Sequence, residues 1–166
     1  MLTQVQEKFP SAGNLVVVPM GVDSQSFHNR RRKFLQGNSL PSPVKILFVG
    51  RLTEKKGVKY LIEATPLVLE KGFDCKVSIV GDGELRRDLQ ALTQKLANEN
   101  SIEFLGAKSN NELTEIYATH DIFVGPSIRT AGGDTEGLGL TFVEAGMSGC
   151  ILIGTDVGGI GDVIDD

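Results

Sequence analysis

Short apolar runs, rich in β-branched residues, alternate along most of the chain with segments of helical periodicity. The runs cover residues 14–20, 44–50, 75–81, 101–106, 121–127 and 150–155. Segments with apolar residues at helical spacing cover residues 58–71, 84–99, 109–119 and 138–149. Runs that are apolar on both faces and separated by amphipathic helices indicate βαβ units. The pattern therefore predicts an α/β fold with a Rossmann-like parallel sheet and helices on both of its faces.

Three single residues add local detail to this pattern. Ser109 opens the third helical segment and is followed three positions later by Glu112, which predicts a capping box. Pro66 lies inside the first helical segment and should kink it or end its first part. His120 comes at the end of the third segment, where it can interact with the last carbonyls of the helix.

The chain of 166 residues has the size of a single domain. Residues 1–13 are expected to be the end of a preceding helix or a linker. Residues 24–43 are rich in Ser, Pro, Asn and basic side chains and predict a loop. The basic cluster at 28–33 in this loop, which starts with His28, suits anionic lipid headgroups, although a solvated loop is the favoured interpretation. The final segment, 157–166, begins like another helix and stops, so we expect a fold that is truncated at its C-terminus.

Composition narrows the class of protein. A hydrophobic content of 40% and a charged content of 23% are those of a soluble globular domain. The net charge of −4 gives no general reason to expect nucleic acid as a partner. No stretch approaches the ~20 apolar residues of a membrane-spanning helix, and the first residues lack a signal-peptide pattern. We therefore expect a cytoplasmic enzyme domain, with Cys75 and Cys150 as small core residues rather than a disulfide.

Glycines follow the predicted strands at Gly50, Gly81, Gly106 and Gly125. Ligands of open α/β sheets bind outside the carboxyl ends of the strands, where glycine lets the backbone turn sharply and approach a ligand. Plain turn punctuation would explain any one of these glycines, but it explains the whole set less well.

The loop "GRLTEKKG", residues 50–57, places Arg51 and Lys56 just after a strand. Arginine offers a planar fork of donors and lysine a point charge, and the two together suit a diphosphate. A solvated charged loop is the alternative when this motif is taken alone. Lys55 is adjacent, and spacing does not choose between the two lysines.

The segment "EGLGLTFVEAGMSG", residues 136–149, has a glutamate at each end of a glycine-bearing apolar run. If the helix begins only after Gly139, Glu136 lies on the loop above its N-terminus and Glu144 lies about one turn inside. Both carboxylates then look toward the first backbone N–H groups, a place that suits an anion. The spacing therefore predicts an anionic ligand that also offers hydroxyl groups.

Other chemistries fit the sequence poorly. "GDGELR" has Arg86 where a dinucleotide fingerprint needs its third glycine, and "GLGLTF" ends in Phe142, which would obstruct close helix–strand packing. Asp82 and Glu84 are better explained by a turn that caps a helix than by a metal site. A nicotinamide dehydrogenase is therefore disfavoured, and no metal or nucleophilic-triad spacing is found.

Taken together, these motifs resemble one family in both content and order. The ordered pieces are "VVPMGVDSQSF", "GRLTEKKGVKYLIEA", "GDGELRRDL", "FLG", "ELTEIYATHDIFVGPS" and "EGLGLTFVEAGMSG". They are similar to the C-terminal, nucleotide-sugar-binding half of a GT-B retaining glycosyltransferase of family 4, the glycosyl transferases of group 1. The resemblance covers about residues 14 to 164, and the last piece corresponds to the E-x7-E motif of the family.

The resemblance implies a role for each of the residues singled out above. Glu136 would face the hydroxyls of the donor sugar and Glu144 those of the ribose. Amides near Gly139 and Leu140 would hold the diphosphate, with Arg51 and Lys56 neutralising its charge. The implied catalytic residues are Arg51, Lys56 and Glu136. The other implied donor-binding residues are Gly50, Gly81, Leu105, Ala107, Gly137, Gly139, Leu140, Thr141 and Glu144, with the loop from Leu105 to Lys108 flanking the base.

The resemblance further implies a hexosyltransferase that moves a sugar from a nucleoside-diphosphate sugar to a glycan, lipid or other acceptor, without metal or cofactor. The long approach to Glu136 is similar to a subgroup associated with surface-polysaccharide synthesis. The N-terminal acceptor-binding domain, the implied partner, is expected to be missing, so the chain alone should be inactive. The full-length protein could associate peripherally with the inner face of the membrane.

Two positions depart from the family pattern, and two alternatives stay open. Met20 stands where the family usually has Asn, and Gly161 and Asp162 replace the usual Pro-Glu. The residues do not separate the transferase from a non-catalytic nucleotide-sugar-binding module or subunit, or from a nucleotide-sugar epimerase of GT-B architecture.

Overall fold

The computed structural model describes residues 21–22, 27, 42–137 and 139–164. The strands within these residues are β1 (Val44–Val49), β2 (Cys75–Val80), β3 (Ile102–Gly106), β4 (Ile122–Gly125) and β5 (Ile151–Gly154). The α-helices are α1 (Val58–Glu70), α2 (Arg86–Lys95), α3 (Asn110–Thr119) and α4 (Leu140–Met147). Each agrees with a predicted element. The predicted strand at 14–20, the segment 1–13, Met20, His28 and most of the predicted loop at 24–43 lie outside the described residues.

The five strands form one parallel sheet in the order β3-β2-β1-β4-β5. The chain therefore proceeds outward from β1 through β2 to β3, then returns to the other side of β1 for β4 and β5. The direction of winding reverses between β1 and β4. In open α/β sheets this switch point is where the loops part and leave a crevice.

Helices cover both faces of the sheet. Since successive side chains of a strand point to opposite faces, a single strand contributes to the packing on both. Phe48 of β1 belongs to a buried cluster with residues of α1 and α2, whereas Leu47 and Val49 belong to a second cluster with residues of α3 and α4. Both free cysteines are buried, as predicted. The Rossmann-like α/β fold expected from the sequence is thus confirmed.

Both predicted features at the ends of α3 are present. The Ser109 hydroxyl accepts from the Glu112 amide, and the Ser109 amide donates to the Glu112 carboxylate at 2.9 Å. Hydrogen bonds from the Ser109 amide and hydroxyl, assisted by Lys108, lower the pKa of Glu112 to about 2. At the other end, Nδ1 of His120 lies 2.8 Å from the Ile116 carbonyl oxygen. A ring nitrogen facing a carbonyl must donate, so His120 satisfies one of the last carbonyls of the helix.

Helix α1 runs on through Pro66, so the expectation that the helix could end there is wrong. Proline has no N–H, which removes the hydrogen bond to the carbonyl of Ile62 four residues earlier. The side-chain amide of Asn98 donates to this carbonyl oxygen at 3.3 Å. Asn98 is buried, with 4% of its surface exposed. The residue that replaces the hydrogen bond lost at Pro66 therefore lies in the turn after α2.

We predict that Asn98→Ala destabilises the fold by about 1–3 kcal/mol, because the Ile62 carbonyl then stays buried without a donor. The measurement is the free energy of unfolding in urea. Pro66→Ala is the matched background, since it restores a backbone N–H to this carbonyl. Asn98→Ala should cost less in that background, and an equal cost in both backgrounds would contradict the assignment.

Candidate functional site

Two loops that leave neighbouring strands meet at the switch point of the sheet. One follows β1 and contains a short 3-10 helix, Glu54–Lys56. The other follows β4 and leads to α4. The side chains of Lys56 and Glu136 join the two loops in an ion pair, with 17% and 12% of their surfaces exposed. The basic loop and the glutamate loop predicted from the sequence are therefore brought together in space.

The Glu136 carboxylate receives further hydrogen bonds from its surroundings. The Gly137 amide donates to one oxygen at 3.1 Å, and the Ser127 hydroxyl donates to the other at 3.4 Å. Lys55, by contrast, points to Asp134 at 3.2 Å, whose side chain is 65% exposed. The structure thus separates the two lysines, which spacing alone could not do.

The pKa of Glu136 reflects two opposed effects. Burial alone would raise the pKa of this carboxyl. The hydrogen bond and positive charge of Lys56, assisted by the Gly137 amide and by Lys55, outweigh burial and hold the pKa of Glu136 below its ordinary value of 4.5. The carboxylate is therefore ionised at neutral pH, and Lys56 is the main reason.

Two glycines let the loop after β4 contact the backbones of its neighbours, the loops after β1 and β5. Gly57 has φ 62°, and a Cβ there would lie 1.8 Å from the Pro126 carbonyl oxygen. Gly158, in the loop after β5, has φ 65°, and a Cβ there would lie 2.1 Å from the carbonyl oxygen of Glu136. Any side chain at either position would both strain the backbone and push the loops apart. The place of Glu136 therefore depends on Gly158, which the sequence motifs did not single out.

The N-terminus of α4 begins at Leu140, directly after Gly139, as predicted. Gly139 has φ 65° and supplies no side-chain cap. Within the described part of the chain, the amides of Leu140 and Thr141 have no hydrogen-bond acceptor. Unpaired amides at a helix N-terminus favour an anion. Glu144 lies just over one turn inside this helix, also as predicted.

Two shallow depressions at the carboxyl edge contain most of the remaining predicted residues. One, of about 270 Å³, is lined by Gly50, Arg51, Gly81, Ala107 and Lys108, among others. Arg51 is exposed. Its guanidinium group has no partner among the described side chains.

The second depression, of about 380 Å³, contains Glu144 and Leu140 from α4, and Phe27. Asn110 and its neighbours at the start of α3 close its other side. Leu113 lines both depressions, so they lie next to each other.

The side chain of Leu105, a predicted site residue, lies outside both depressions. It packs against a core cluster and lines a different cavity, of about 520 Å³, together with His120. Asp82 accepts hydrogen bonds from Gly83 and Arg86, at 2.8 and 2.9 Å, which agrees with a turn that leads into a helix. The described residues contain no group of three side chains placed to ligate a metal.

Phe142 does not obstruct the packing of α4 on the sheet, contrary to expectation. Its ring is buried against Gly125 of β4 and Gly154 of β5. A Cβ on Gly125 would lie 2.2 Å from the ring. The glycines that allow close approach of helix and strand are therefore on the strands, and the bulky residue is on the helix.

Tyr117 is a functional candidate that the sequence motifs did not reveal. Its hydroxyl donates to Oε2 of Glu144 at 2.8 Å, and its side chain is completely buried. The helical spacing of Tyr117 indicates a core residue. Its polar partner, Glu144, is evident only from the packing of α3 beside α4.

Comparisons with known proteins agree with the fold and the motifs. The family model "Glycosyl transferases group 1" matches residues 29–166. The amylovoran biosynthesis glycosyltransferase AmsK of Erwinia amylovora is 30% identical over 154 residues, which cover 93% of this chain and 37% of that protein. The chain spans between 29% and 42% of the lengths of the curated relatives it matches.

Two solved structures show the same fold. The C-terminal domain of the group 1 glycosyl transferase LpcC from Francisella tularensis is 28% identical with a TM-score of 0.69, covering 88% of this chain and 76% of that one. The pneumococcal O-GlcNAc transferase GtfA, in complex with UDP and GlcNAc, is 26% identical with a TM-score of 0.63. That alignment covers 93% of this chain and 28% of the other. Among the described residues, none of the helices is both long and apolar enough to cross a membrane.

We predict that Lys56→Met raises the pKa of Glu136, because burial is then opposed only by weaker partners. At pH values between the lowered folded-state pKa and the ordinary carboxylate pKa, Glu136 binds fewer protons in the folded wild-type protein than in the unfolded chain. The ion pair therefore adds stability above that pKa, and this stability is lost as the pH falls through the folded-state pKa. In Lys56→Met, the loss of stability relative to wild type should be large at neutral pH and small in acid.

The measurements are an NMR titration of the Glu136 carboxyl and urea unfolding at several pH values. Lys55→Met is the matched control, since Lys55 pairs with the exposed Asp134. A Glu136 pKa that moves as much in Lys55→Met as in Lys56→Met would contradict the prediction.

Proposed function

We propose, because the chain belongs to the glycosyl transferases of group 1, that it is the donor-binding domain of a retaining glycosyltransferase of family 4. The full-length enzyme would transfer a sugar from a nucleoside-diphosphate sugar to a glycan, lipid or other acceptor. One observation carries this proposal. A lysine and a glutamate from opposite sides of the switch point meet beside a helix N-terminus whose first amides have no acceptor among the described residues.

The diphosphate is the part of the donor that this arrangement suits best. The amides of Leu140 and Thr141 offer hydrogen bonds at the positive end of a helix dipole. Arg51 is exposed, its guanidinium fork has no partner among the described side chains, and Lys56 adds a point charge. In glycosyl transfer, negative charge develops on the departing diphosphate. Donors fixed in advance around that charge stabilise the transition state, and this is usually the largest contribution to catalysis.

The nucleoside would lie across the two depressions. Glu144 lines the larger one and can accept hydrogen bonds from the ribose hydroxyls. The base would lie along the loop after β3, where Ala107 and Lys108 line the smaller depression. The side chain of Leu105 points elsewhere, so we assign the base contact to the residues that follow it. Gly50, Gly81 and Gly137 let the backbone approach the ligand.

Glu136 would receive the hydroxyls of the donor sugar beyond the diphosphate. In this role it binds the sugar and does not act as the nucleophile of a glycosidase-like carboxylate pair. We propose that the reaction needs no metal or other cofactor, because cationic side chains and a helix N-terminus supply the positive charge. We therefore name Arg51, Lys56 and Glu136 as the residues that act on the reacting groups.

The relatives suggest the biological setting. AmsK is named for amylovoran biosynthesis, and we propose polysaccharide or glycoconjugate synthesis for this chain as well. GtfA was solved with UDP and GlcNAc, so a UDP-hexose is the first donor to test. Because AmsK is much longer than this chain, we propose an acceptor-binding domain as the partner, without which the chain binds donor but transfers nothing. We also propose a cytoplasmic enzyme that is peripheral to the membrane.

We predict that alanine substitutions of the two glutamates change ligand affinity in different ways. Glu144→Ala should weaken the nucleoside diphosphate and its sugar conjugate alike, by about 1.5–3 kcal/mol, the range for a hydrogen bond to an ionised group. Glu136→Ala should weaken only the conjugate, because its contact lies beyond the diphosphate. It should leave the bare diphosphate bound as tightly or more tightly, since Lys56 loses its competing partner.

Calorimetric titration of UDP and UDP-glucose, or of the GDP pair if wild type prefers it, against both variants decides this. Both glutamates could merely support the loops. In that case either variant would melt earlier and bind both ligands like wild type, and the donor-binding proposal would be wrong.

We predict that Arg51→Ala weakens the nucleoside diphosphate by about 1.5–3 kcal/mol, as for a lost hydrogen bond to a charged group. Lys59→Ala is the matched control, since Lys59 lies on α1 and pairs with Glu63 at 3.6 Å. Binding should persist in EDTA. Loss of affinity on chelation, or an unchanged affinity in Arg51→Ala, would contradict metal-free electrostatic recognition.

A further inference from the structure

We propose that Tyr117 is a positioning residue for ribose recognition, whose hydroxyl holds the Glu144 carboxylate in the orientation that receives the ribose hydroxyls. The inference rests on the proposed function, because it assumes that Glu144 binds ribose. It adds a residue on a different helix, α3, that does not itself reach the ligand.

The position of the hydroxyl is set by the packing of its ring. Tyr117 has no exposed surface. Its ring lies edge-on to Phe27 at a centroid distance of 6.1 Å and is tilted against Phe123 at 6.2 Å. Its carbonyl oxygen also accepts from the Cys150 thiol at 3.4 Å. A ring held from several sides cannot move its hydroxyl without disturbing the core, so the hydroxyl is a fixed donor.

The Tyr117 hydroxyl has one proton, and it donates this proton in a hydrogen bond to the Glu144 carboxylate. Burial first, and then the charge of Glu144, hold the pKa of Tyr117 far above its usual value, so the phenol stays protonated. The bond to Oε2 of Glu144 measures 2.8 Å. It uses one acceptor position of the carboxylate, and among the described residues no other donor occupies Oε1 or the rest of Oε2. The free positions are those that a ligand in the 380 Å³ depression can use.

Within the described part of the chain, this is the hydrogen bond that restrains the Glu144 side chain. A glutamate without such a bond samples several rotamers, and ordering it on binding opposes affinity. A vicinal diol requires its acceptor at a defined place, and a site built to bond hydroxyls discriminates strongly against analogues that lack them. Tyr117 would therefore affect the selection of ribose over deoxyribose, whereas a residue that merely joins α3 to α4 would not.

The test is the substitution Tyr117→Phe, which keeps the ring contacts and removes only the hydroxyl. The probes are UDP and its 2′,3′-dideoxy analogue, or the guanosine pair if wild type binds GDP more tightly. Tyr117→Phe should lower the affinity for the ribonucleotide about 3- to 10-fold, as for one net hydrogen bond. It should lower the affinity for the dideoxy analogue less, so that the ratio of the two affinities falls. The matched control is Tyr60→Phe, a half-exposed tyrosine on α1, which should change neither affinity.

A double-mutant cycle separates this inference from the proposed function. In the Glu144→Ala background, Tyr117→Phe should have no further effect on either ligand. If Tyr117→Phe lowers the melting temperature but leaves the ratio of affinities at the wild-type value, the positioning role is overturned and the ribose role of Glu144 stands. If Glu144→Ala itself leaves the ratio unchanged, or wild type binds neither nucleotide, the proposed function fails and the inference fails with it.

Discussion

The common direction of the five strands is the constraint on which this structure depends. Because all strands are parallel, every loop at their carboxyl ends emerges at the same edge of the sheet. The reversal of winding between β1 and β4 then parts two of these loops and leaves room between them. Lys56 and Glu136, 80 positions apart in the sequence, meet in that room. Neither residue is close to the other for any local reason, and only the topology brings the cation to the carboxylate.

Much of the fold could be predicted from the sequence, because the elements follow from local periodicity. A buried parallel strand must be apolar on both faces, and β1 shows this with Leu47, Phe48 and Val49 in two different clusters. The ends of helices also have local causes. Ser109 and Glu112 complete their capping box within one turn, and Gly139 starts α4 with a backbone conformation that glycine adopts freely. Glu136 therefore lies on the loop before α4 and Glu144 about one turn inside the helix, as the spacing predicted.

Features that depend on tertiary pairing could not be predicted in the same way. Helix α1 accommodates Pro66 because Asn98, in the turn after α2, supplies a donor to the carbonyl that the proline leaves unpaired. Phe142 is tolerated because glycines of two neighbouring strands make room for its ring. Lys55 and Lys56 are adjacent and chemically equal, and only the path of the second loop decides that Lys56 faces Glu136.

The ion pair also compensates two largely buried charges within the protein itself. A largely buried lysine without a partner is costly, and so is a largely buried carboxylate. Lys56 and Glu136 neutralise each other, and backbone contacts at Gly57 and Gly158 hold their loops in place. On the proposed function, a diphosphate would offer Lys56 a second anion, and the sugar would offer hydroxyl donors to Glu136. The two charges would then be compensated by different parts of one ligand. A donor that carries both parts would replace the ion pair completely, whereas a bare diphosphate would replace only half of it. On the proposed function, this ion pair would therefore favour the intact sugar nucleotide over its nucleotide product.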